Sequence, residues 1–167
     1  MMKRRGFFLG LILIVILIPL SACSSHDTFY KKGSGWDYLR FPLLKPYYAI
    51  YISDEYEWEI SLQDGSPDRN FKYFSAILNA EKIAVDKSII MVYTPYSKPI
   101  YVSPEQEKEL HWFILIPGQT ELGFEIEEEF SAQIQEYDIS QPAWQEPKSI
   151  LQTYDQTGCL DWIPCCE

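Results

Sequence analysis

The stretch HWFILIP, residues 111–117, places five large apolar side chains in succession, from Trp112 to Ile116. A short apolar run rich in aromatic and β-branched residues is typical of a buried strand, and Pro117 and Gly118 supply the turn that ends it. We therefore predict a central strand here, with the rest of the domain arranged around it.

Downstream of this strand the apolar spacing changes to that of a helix. Five apolar residues recur at spacings of four, four, four and three, which is the pattern of one helix face. They are Leu122, Ile126, Phe130, Ile134 and Tyr137. Acidic residues occupy the other faces, several of them near the helix start, where the helix dipole favours negative charge. They are Glu125, Glu127, Glu128, Glu129 and Glu136.

Upstream, short segments rich in Tyr, Trp and Ile alternate with polar residues, as strands do. Residues 47–53 and 56–62 predict one hairpin, and residues 83–85 and 89–94 predict two strands around a tight turn. Residues 74–78 are read as a further strand. Together with the helix, these segments predict an α+β domain, an antiparallel β-meander of about five to seven strands with one amphipathic C-terminal helix packed on it.

Two other segments carry weaker signals. Ser103, Pro104 and Gln106 have the order of an N-cap, a first helical proline and a capping-box glutamine, which predicts a short helix or a loop insertion. The proline-containing tail, residues 142–167, is expected to wrap over the sheet, and Leu160 and Trp162 suggest one more short strand.

The chain begins with the layout of a secretory signal peptide. Lys3, Arg4 and Arg5 form a positive start, and an apolar run follows over residues 7–18. This run of about a dozen residues is shorter than the roughly 20 that span a bilayer. If the run is counted to Ala22 it becomes a marginal span, so an uncleaved N-terminal anchor is the alternative.

The segment that follows, Leu20-Ser21-Ala22-Cys23, resembles the lipobox of bacterial lipoproteins. The resemblance implies cleavage before Cys23 and acylation of its thiol, with palmitate among the fatty acids that such proteins carry. Two or three acyl chains anchor a protein stably, whereas a single chain does not. Ser24 stands where Asp would signal retention in the inner membrane, which favours the outer membrane if the host has two membranes.

These boundaries divide the chain into a signal peptide (residues 1–22), a lipidated cysteine with a tether (23–35) and one globular domain (36–167). Loss of the three basic residues of the signal would leave 11 basic against 24 acidic side chains, a net charge near −13. Such a charge opposes binding to nucleic acid and to anionic lipid headgroups. The partners expected are the membrane, through the lipid, and an envelope protein.

The remaining cysteines lie within the last nine residues of the chain. Cys159, Cys165 and Cys166 can close at most one intramolecular disulfide, with Cys159 bridged to either of the other two. No metal site or cofactor is predicted, because His26 and His111 are the only histidines. The sequence also lacks the G-x-S-x-G motif of serine hydrolases, and we predict no catalytic residue.

The order of features resembles that of small uncharacterised bacterial lipoproteins with a domain of unknown function. In that group a lipobox precedes a strand meander, a strand similar to WIID, a glycine-containing turn and a helix that opens near EEF. HWFILIP and GFEIEEEF are the corresponding stretches, and the resemblance covers residues 36–138, although Leu115 and Ile116 replace the polar end of the strand. No activity is established for the group, so the resemblance implies none.

Three functions are considered for the domain. A non-enzymatic envelope binding or structural module would use aromatic side chains as interface anchors. An inhibitor or immunity-type lipoprotein would mask a basic partner with the acidic face of residues 125–136. An envelope hydrolase is the third. The aromatic candidates are Tyr47, Tyr48, Tyr51, Tyr56, Trp58, Tyr93, Tyr96 and Tyr101.

Overall fold

A computed structural model describes residues 27–31, 39–53, 57–63, 68–71, 75–95 and 109–164. These residues form nine strands and two α-helices, preceded by a one-turn 3-10 helix at Thr28–Tyr30. The strands are β1 (Arg40–Pro42), β2 (Tyr48–Tyr51), β3 (Trp58–Ser61), β4 (Asp68–Arg69), β5 (Ala76–Ile77), β6 (Lys82–Asp86), β7 (Ile89–Tyr93), β8 (Trp112–Ile116) and β9 (Thr120–Phe124). The helices are α1 (Glu127–Glu136) and α2 (Pro147–Thr157).

The strands form two open sheets. The first has the order β1-β2-β3-β5, and all of its pairs are antiparallel. The second has the order β4-β9-β8-β7-β6, in which only β4 and β9 run parallel. The α+β class and the mainly antiparallel pairing are therefore confirmed, whereas the strand number is higher than predicted and is divided between two sheets.

The two sheets pack face to face. Phe41, Ala49 and Ile60 of the first sheet share one buried cluster with Ile90 and Phe113 of the second. The opposite face of the second sheet contributes residues such as Ile114 to another cluster, which α1 covers with Phe130 and Ile134. Strand β8 therefore has protein on both faces, which explains why the sequence HWFILIP is apolar without alternation.

The local strand predictions are confirmed in their main features. Strands β2 and β3 form the predicted hairpin, with Tyr51 opposite Trp58. Strands β6 and β7 enclose the two-residue turn Lys87-Ser88, and β8 is the central strand of the second sheet.

The single helical stripe predicted from Leu122 onward is wrong at its beginning. Leu122 lies in β9, opposite Ile114 of β8, and the helix begins only at Glu127. Phe130 and Ile134 are its buried residues, as the spacing predicted. The i, i+4 pattern crosses the boundary between strand and helix because both Leu122 and Phe130 face the same cluster.

The tail, expected to wrap over the sheet, contains a second helix, α2, that was not predicted from the sequence. Pro147 occupies its first turn, and Gly158, with φ +71°, ends it in the left-handed conformation that favours glycine. Ile150 and Tyr154, four residues apart, are buried against the two-sheet cluster, and full burial of a side chain such as that of Ile150 contributes roughly 1.5–3 kcal/mol. The short strand expected at Leu160 and Trp162 is absent from this described segment, where the chain makes turns.

Part of the predicted tether is attached to the domain. The Nζ of Lys45 lies 2.9 Å from Asp27 Oδ2, and the hydroxyl of Tyr154 donates to the carbonyl of Tyr30 at 2.8 Å. The backbone N–H of Lys45 also donates to the hydroxyl of Tyr30, at 3.1 Å. The segment from Asp27 to Lys31 is therefore held beside α2 and the β1–β2 connection. Within the described ranges, no helix is both long and apolar enough to cross a bilayer.

Candidate functional site

A surface groove of about 490 Å³ lies between one end of the first sheet and the start of α2. Six apolar residues contribute to its lining. They are Leu39, Tyr51, Trp58, Ala80, Pro147 and Leu151.

The walls of the groove are held in place by the sheet. The N–H of Tyr51 donates to the carbonyl of Leu39 at 2.8 Å, which extends the β1–β2 ladder by one residue. The rings of Tyr51 and Trp58 meet edge to face, with 5.6 Å between their centroids. Trp58 is buried and forms the floor, whereas the side chain of Leu39 is 56% exposed. The groove thus combines a fixed aromatic floor with an accessible aliphatic rim.

The charged residues of the groove are mainly acidic. Glu57, Glu81 and Glu146 line it together with one cation, Lys148. Glu81 lies 3.8 Å from the Nζ of Lys82, and neither Glu57 nor Glu146 forms an ion pair with another described residue. The opening is therefore negatively charged around an apolar floor.

A second, smaller groove of about 380 Å³ runs between α1 and the edge of the second sheet. Glu125, Glu129 and Glu136 line it, with Gln133 and Asn70. Glu127 and Glu128 are exposed but do not line this groove. The acidic residues predicted on the helix therefore divide into two sets, and three of them share one concave surface.

A buried carboxylate, Glu121 of β9, joins the two sheets. It is fully buried and accepts hydrogen bonds from the hydroxyl of Tyr47 at 2.9 Å and from the N–H of Gln63 at 2.7 Å. Arg69 forms an ion pair with its other oxygen and donates to the carbonyl of Gln63 at 2.6 Å. Both carboxylate oxygens of Glu121 therefore have partners: Tyr47 and Gln63, which adjoin strands of the first sheet, and Arg69 of β4.

The environment of Glu121 also changes Tyr47. Burial, followed by the hydrogen bond to Glu121, raises the pKa of the Tyr47 phenol well above its ordinary value. The phenol therefore acts as a hydrogen-bond donor at all physiological pH values. Since Tyr47 and Glu121 are closed to solvent and the groups of the cluster hydrogen-bond to one another, its chemistry is that of a structural connection.

His111 is held beside the second sheet. Its Nδ1 lies 3.0 Å from the carbonyl of Thr94, and its Nε2 lies 4.0 Å from a carboxylate oxygen of Glu109. The hydroxyl of Thr94 donates to the carbonyl of Leu78 at 2.7 Å. No nucleophile is therefore aligned with this histidine in the described structure. The described residues contain no group of three or more His, Cys, Asp or Glu side chains that could hold a metal ion.

The residues of the lipobox, Leu20, Ser21, Ala22 and Cys23, lie outside the described residues. Cys159 is disulfide-bonded, and Cys165 and Cys166 lie outside the described residues, as do Ser103 and Pro104 of the predicted short helix.

The aromatic candidates lie in different parts of the structure. Tyr51 and Trp58 line the larger groove. Tyr47 donates a hydrogen bond to Glu121. Tyr93 packs against Trp112 with 4.4 Å between ring centroids. Tyr56, Tyr96 and Tyr101 lie outside the described residues.

Several groove residues were not predicted as site residues, notably Leu39, Glu146 and Leu151. Leu39 precedes the first strand, and the other two belong to the start of α2, more than 100 positions away. A proline after Glu146 followed by apolar residues at 150, 151 and 154 was the available signal for that helix. Nothing in the sequence pairs its start with Leu39.

Comparison with known proteins finds a partial similarity. Over 80 residues the chain is 35% identical to the outer membrane protein assembly factor BamB of Marinobacter adhaerens. The matched part is 48% of this chain and 17% of that protein, so the chain spans less than a fifth of the length of the relative it matches. No family model and no solved structure matches the chain.

Proposed function

We propose that this chain is a lipid-anchored protein of the bacterial cell envelope whose domain binds another envelope protein without catalysing a reaction. The observation that carries the proposal is the groove of about 490 Å³ with its aromatic floor and exposed Leu39. Tyrosine and tryptophan are the usual anchors of protein interfaces, and binding sites are typically concave and mostly apolar.

The location rests on the N-terminal sequence and on the comparison. A positive start, a short apolar run and Leu20-Ser21-Ala22-Cys23 together favour export, cleavage and acylation of Cys23. The partial similarity to an outer membrane protein assembly factor agrees with an envelope location and with a protein partner.

The anchor is tested with Cys23→Ser, using Ser24→Ala as the matched control. We expect Cys23→Ser to lose incorporation of labelled palmitate and to leave the membrane fraction, whereas Ser24→Ala keeps both. A Cys23→Ser protein that is processed and sediments with membranes as before would contradict the lipid anchor.

The binding role is tested by site-specific photocrosslinking in the native envelope. A benzoylphenylalanine residue replaces Leu39 in the groove, Ile126 beside the acidic residues of α1, or the exposed Gln156 of α2 as the background control. A partner captured from position 39 and absent from position 156 is the expected result. Equal capture at both positions, or none at position 39, would overturn the proposal.

A second candidate is an inhibitor that masks a basic protein. The observation that favours it is the groove of about 380 Å³ lined by Glu125, Glu129 and Glu136. In that case the partner is captured from position 126 instead. Its capture is then lost when these three glutamates are changed to Gln, and is kept in Glu127→Gln/Glu128→Gln.

A further inference from the structure

We infer that the occupant of the larger groove is an extended segment of a partner protein that carries an apolar side chain flanked by lysine or arginine. This inference rests on the proposed binding function and adds the chemistry of the partner. It follows from the arrangement of apolar and acidic groups around one opening.

The apolar part of the segment is specified by the floor. Trp58 and Tyr51 present an edge-to-face aromatic pair, and Leu151 and Pro147 close the side formed by α2. A volume of about 490 Å³ accommodates a few side chains but not a folded element. An aliphatic or aromatic residue inserted there would remove Leu39 from water, which favours binding because the exposed apolar surface decreases.

The charge of the segment is specified by the rim. Glu57, Glu81 and Glu146 line the groove with one cation, Lys148, and Glu81 lies 3.8 Å from the Nζ of Lys82. Cations placed beside the inserted residue would meet the carboxylates of Glu57 and Glu146, which form no ion pair with another described residue. Anions would meet like charges, and such repulsion is a usual means of excluding wrong partners.

Three labelled peptides of five residues test both parts of the inference by fluorescence anisotropy. One alternates Lys with Leu and Phe, the second replaces each Lys by Glu, and the third replaces Leu and Phe by Ser. We expect the first peptide to bind, and the other two to bind at least about tenfold more weakly. Equal binding by all three peptides would overturn the inference.

Two sets of variants locate the binding. Leu39→Ser should weaken binding of the first peptide by about tenfold. Ile52 is similarly exposed but does not line the groove, so Ile52→Ser should leave this binding unchanged. Glu57→Gln/Glu146→Gln should weaken binding at low salt by about threefold, with less effect at high salt. The control Glu127→Gln/Glu128→Gln removes the same charge elsewhere and should have no such effect.

The two proposals fail in distinguishable ways. If the residue at position 39 captures a partner in the envelope but the peptides bind equally, the binding function stands and the inferred chemistry is wrong. If position 39 captures nothing and no peptide binds, both are wrong. Equal weakening by Leu39→Ser and Ile52→Ser would also contradict this location.

Discussion

At the scale of single residues, Glu121 links the two sheets through one buried carboxylate. It is fully buried, and its partners are Tyr47, Gln63 and Arg69. A buried carboxylate is costly unless it is paired and hydrogen-bonded, and here it is both. The groups that satisfy it come from positions up to 74 residues away in the sequence.

Removal of Glu121 is therefore expected to be more damaging than removal of one of its donors. Glu121→Ala leaves the largely buried Arg69 without its carboxylate and should lower the free energy of unfolding by about 3–5 kcal/mol. Tyr47→Phe removes one hydrogen bond and should cost about 1–3 kcal/mol. Urea denaturation followed by tryptophan fluorescence measures both, and a Glu121→Ala protein as stable as Tyr47→Phe would contradict the described network.

The same pair makes a prediction about pH. Folding raises the pKa of the Tyr47 phenol above its ordinary value of 10.0, so the neutral phenol is favoured by the folded state. The resulting stabilisation is fully present below pH 10 and decreases as the pH rises above it, because the unfolded chain then releases the proton first. The stability difference between the wild type and Tyr47→Phe should thus be constant from pH 7 to about 9 and smaller near pH 11. A constant difference over the whole range would contradict the prediction.

At the scale of elements, the β6–β7 turn shows how a local conformation connects two layers. Lys87 and Ser88 have φ values of 48° and 65°, a conformation that non-glycine residues adopt at a cost. The Nζ of Lys87 donates to the carbonyls of Tyr137 and Asp138, at 3.3 Å and 2.7 Å, just after the end of α1. A cation placed there is favoured by the helix dipole.

Ser88→Gly should stabilise the protein by about 0.5–1 kcal/mol, because glycine reaches this left-handed conformation without a steric cost. Lys87→Gly offers the matched comparison. It gains the same freedom but loses the ammonium group, and should be no more stable than the wild type. The urea midpoints of the two variants are compared with that of the wild type. A destabilised Ser88→Gly protein would show that this turn has another conformation.

At the scale of the whole molecule, the docked segment from Asp27 to Lys31 determines how far the domain can stand from a lipid on Cys23. Asp27 is four residues after Cys23, and at about 3.3–3.6 Å per residue the distance from Cys23 to Asp27 is at most roughly 14 Å. Asp27 and Tyr30 are bound near Lys45 and Tyr154, whereas the larger groove lies at the opposite ends of β1 and α2. If Cys23 is lipidated, we expect the groove to lie farther from the membrane than Lys45 and Tyr154 do.

This arrangement predicts a difference in distance to the bilayer. A donor dye placed at Lys31 should transfer energy to a membrane acceptor more efficiently than one at Glu146, in the acylated protein on vesicles. Insertion of about ten Gly and Ser residues after Ser25 should lower the transfer from both positions, because the domain is then free to move away. Equal transfer from Lys31 and Glu146 before the insertion would contradict the proposed orientation.

Several elements were determined by the sequence alone. The alternation of residues 47–53 and 56–62, the two apolar segments around Lys87 and the run HWFILIP all became the predicted strands. Strand formation follows from local spacing, so a single segment carries the necessary information. The stripe through Phe130 and Ile134 determined the helix for the same reason.

Only the tertiary structure decided the division into two sheets and the continuation of β9 through Leu122. It also decided that Glu121 is a buried connection and that Leu39, Trp58 and Leu151 share one groove. These features depend on contacts between residues far apart in the chain, and such contacts leave no periodicity in any one segment. The sequence determined the elements because their spacing is local, and the folded chain determined the site because its residues meet only in the packed structure.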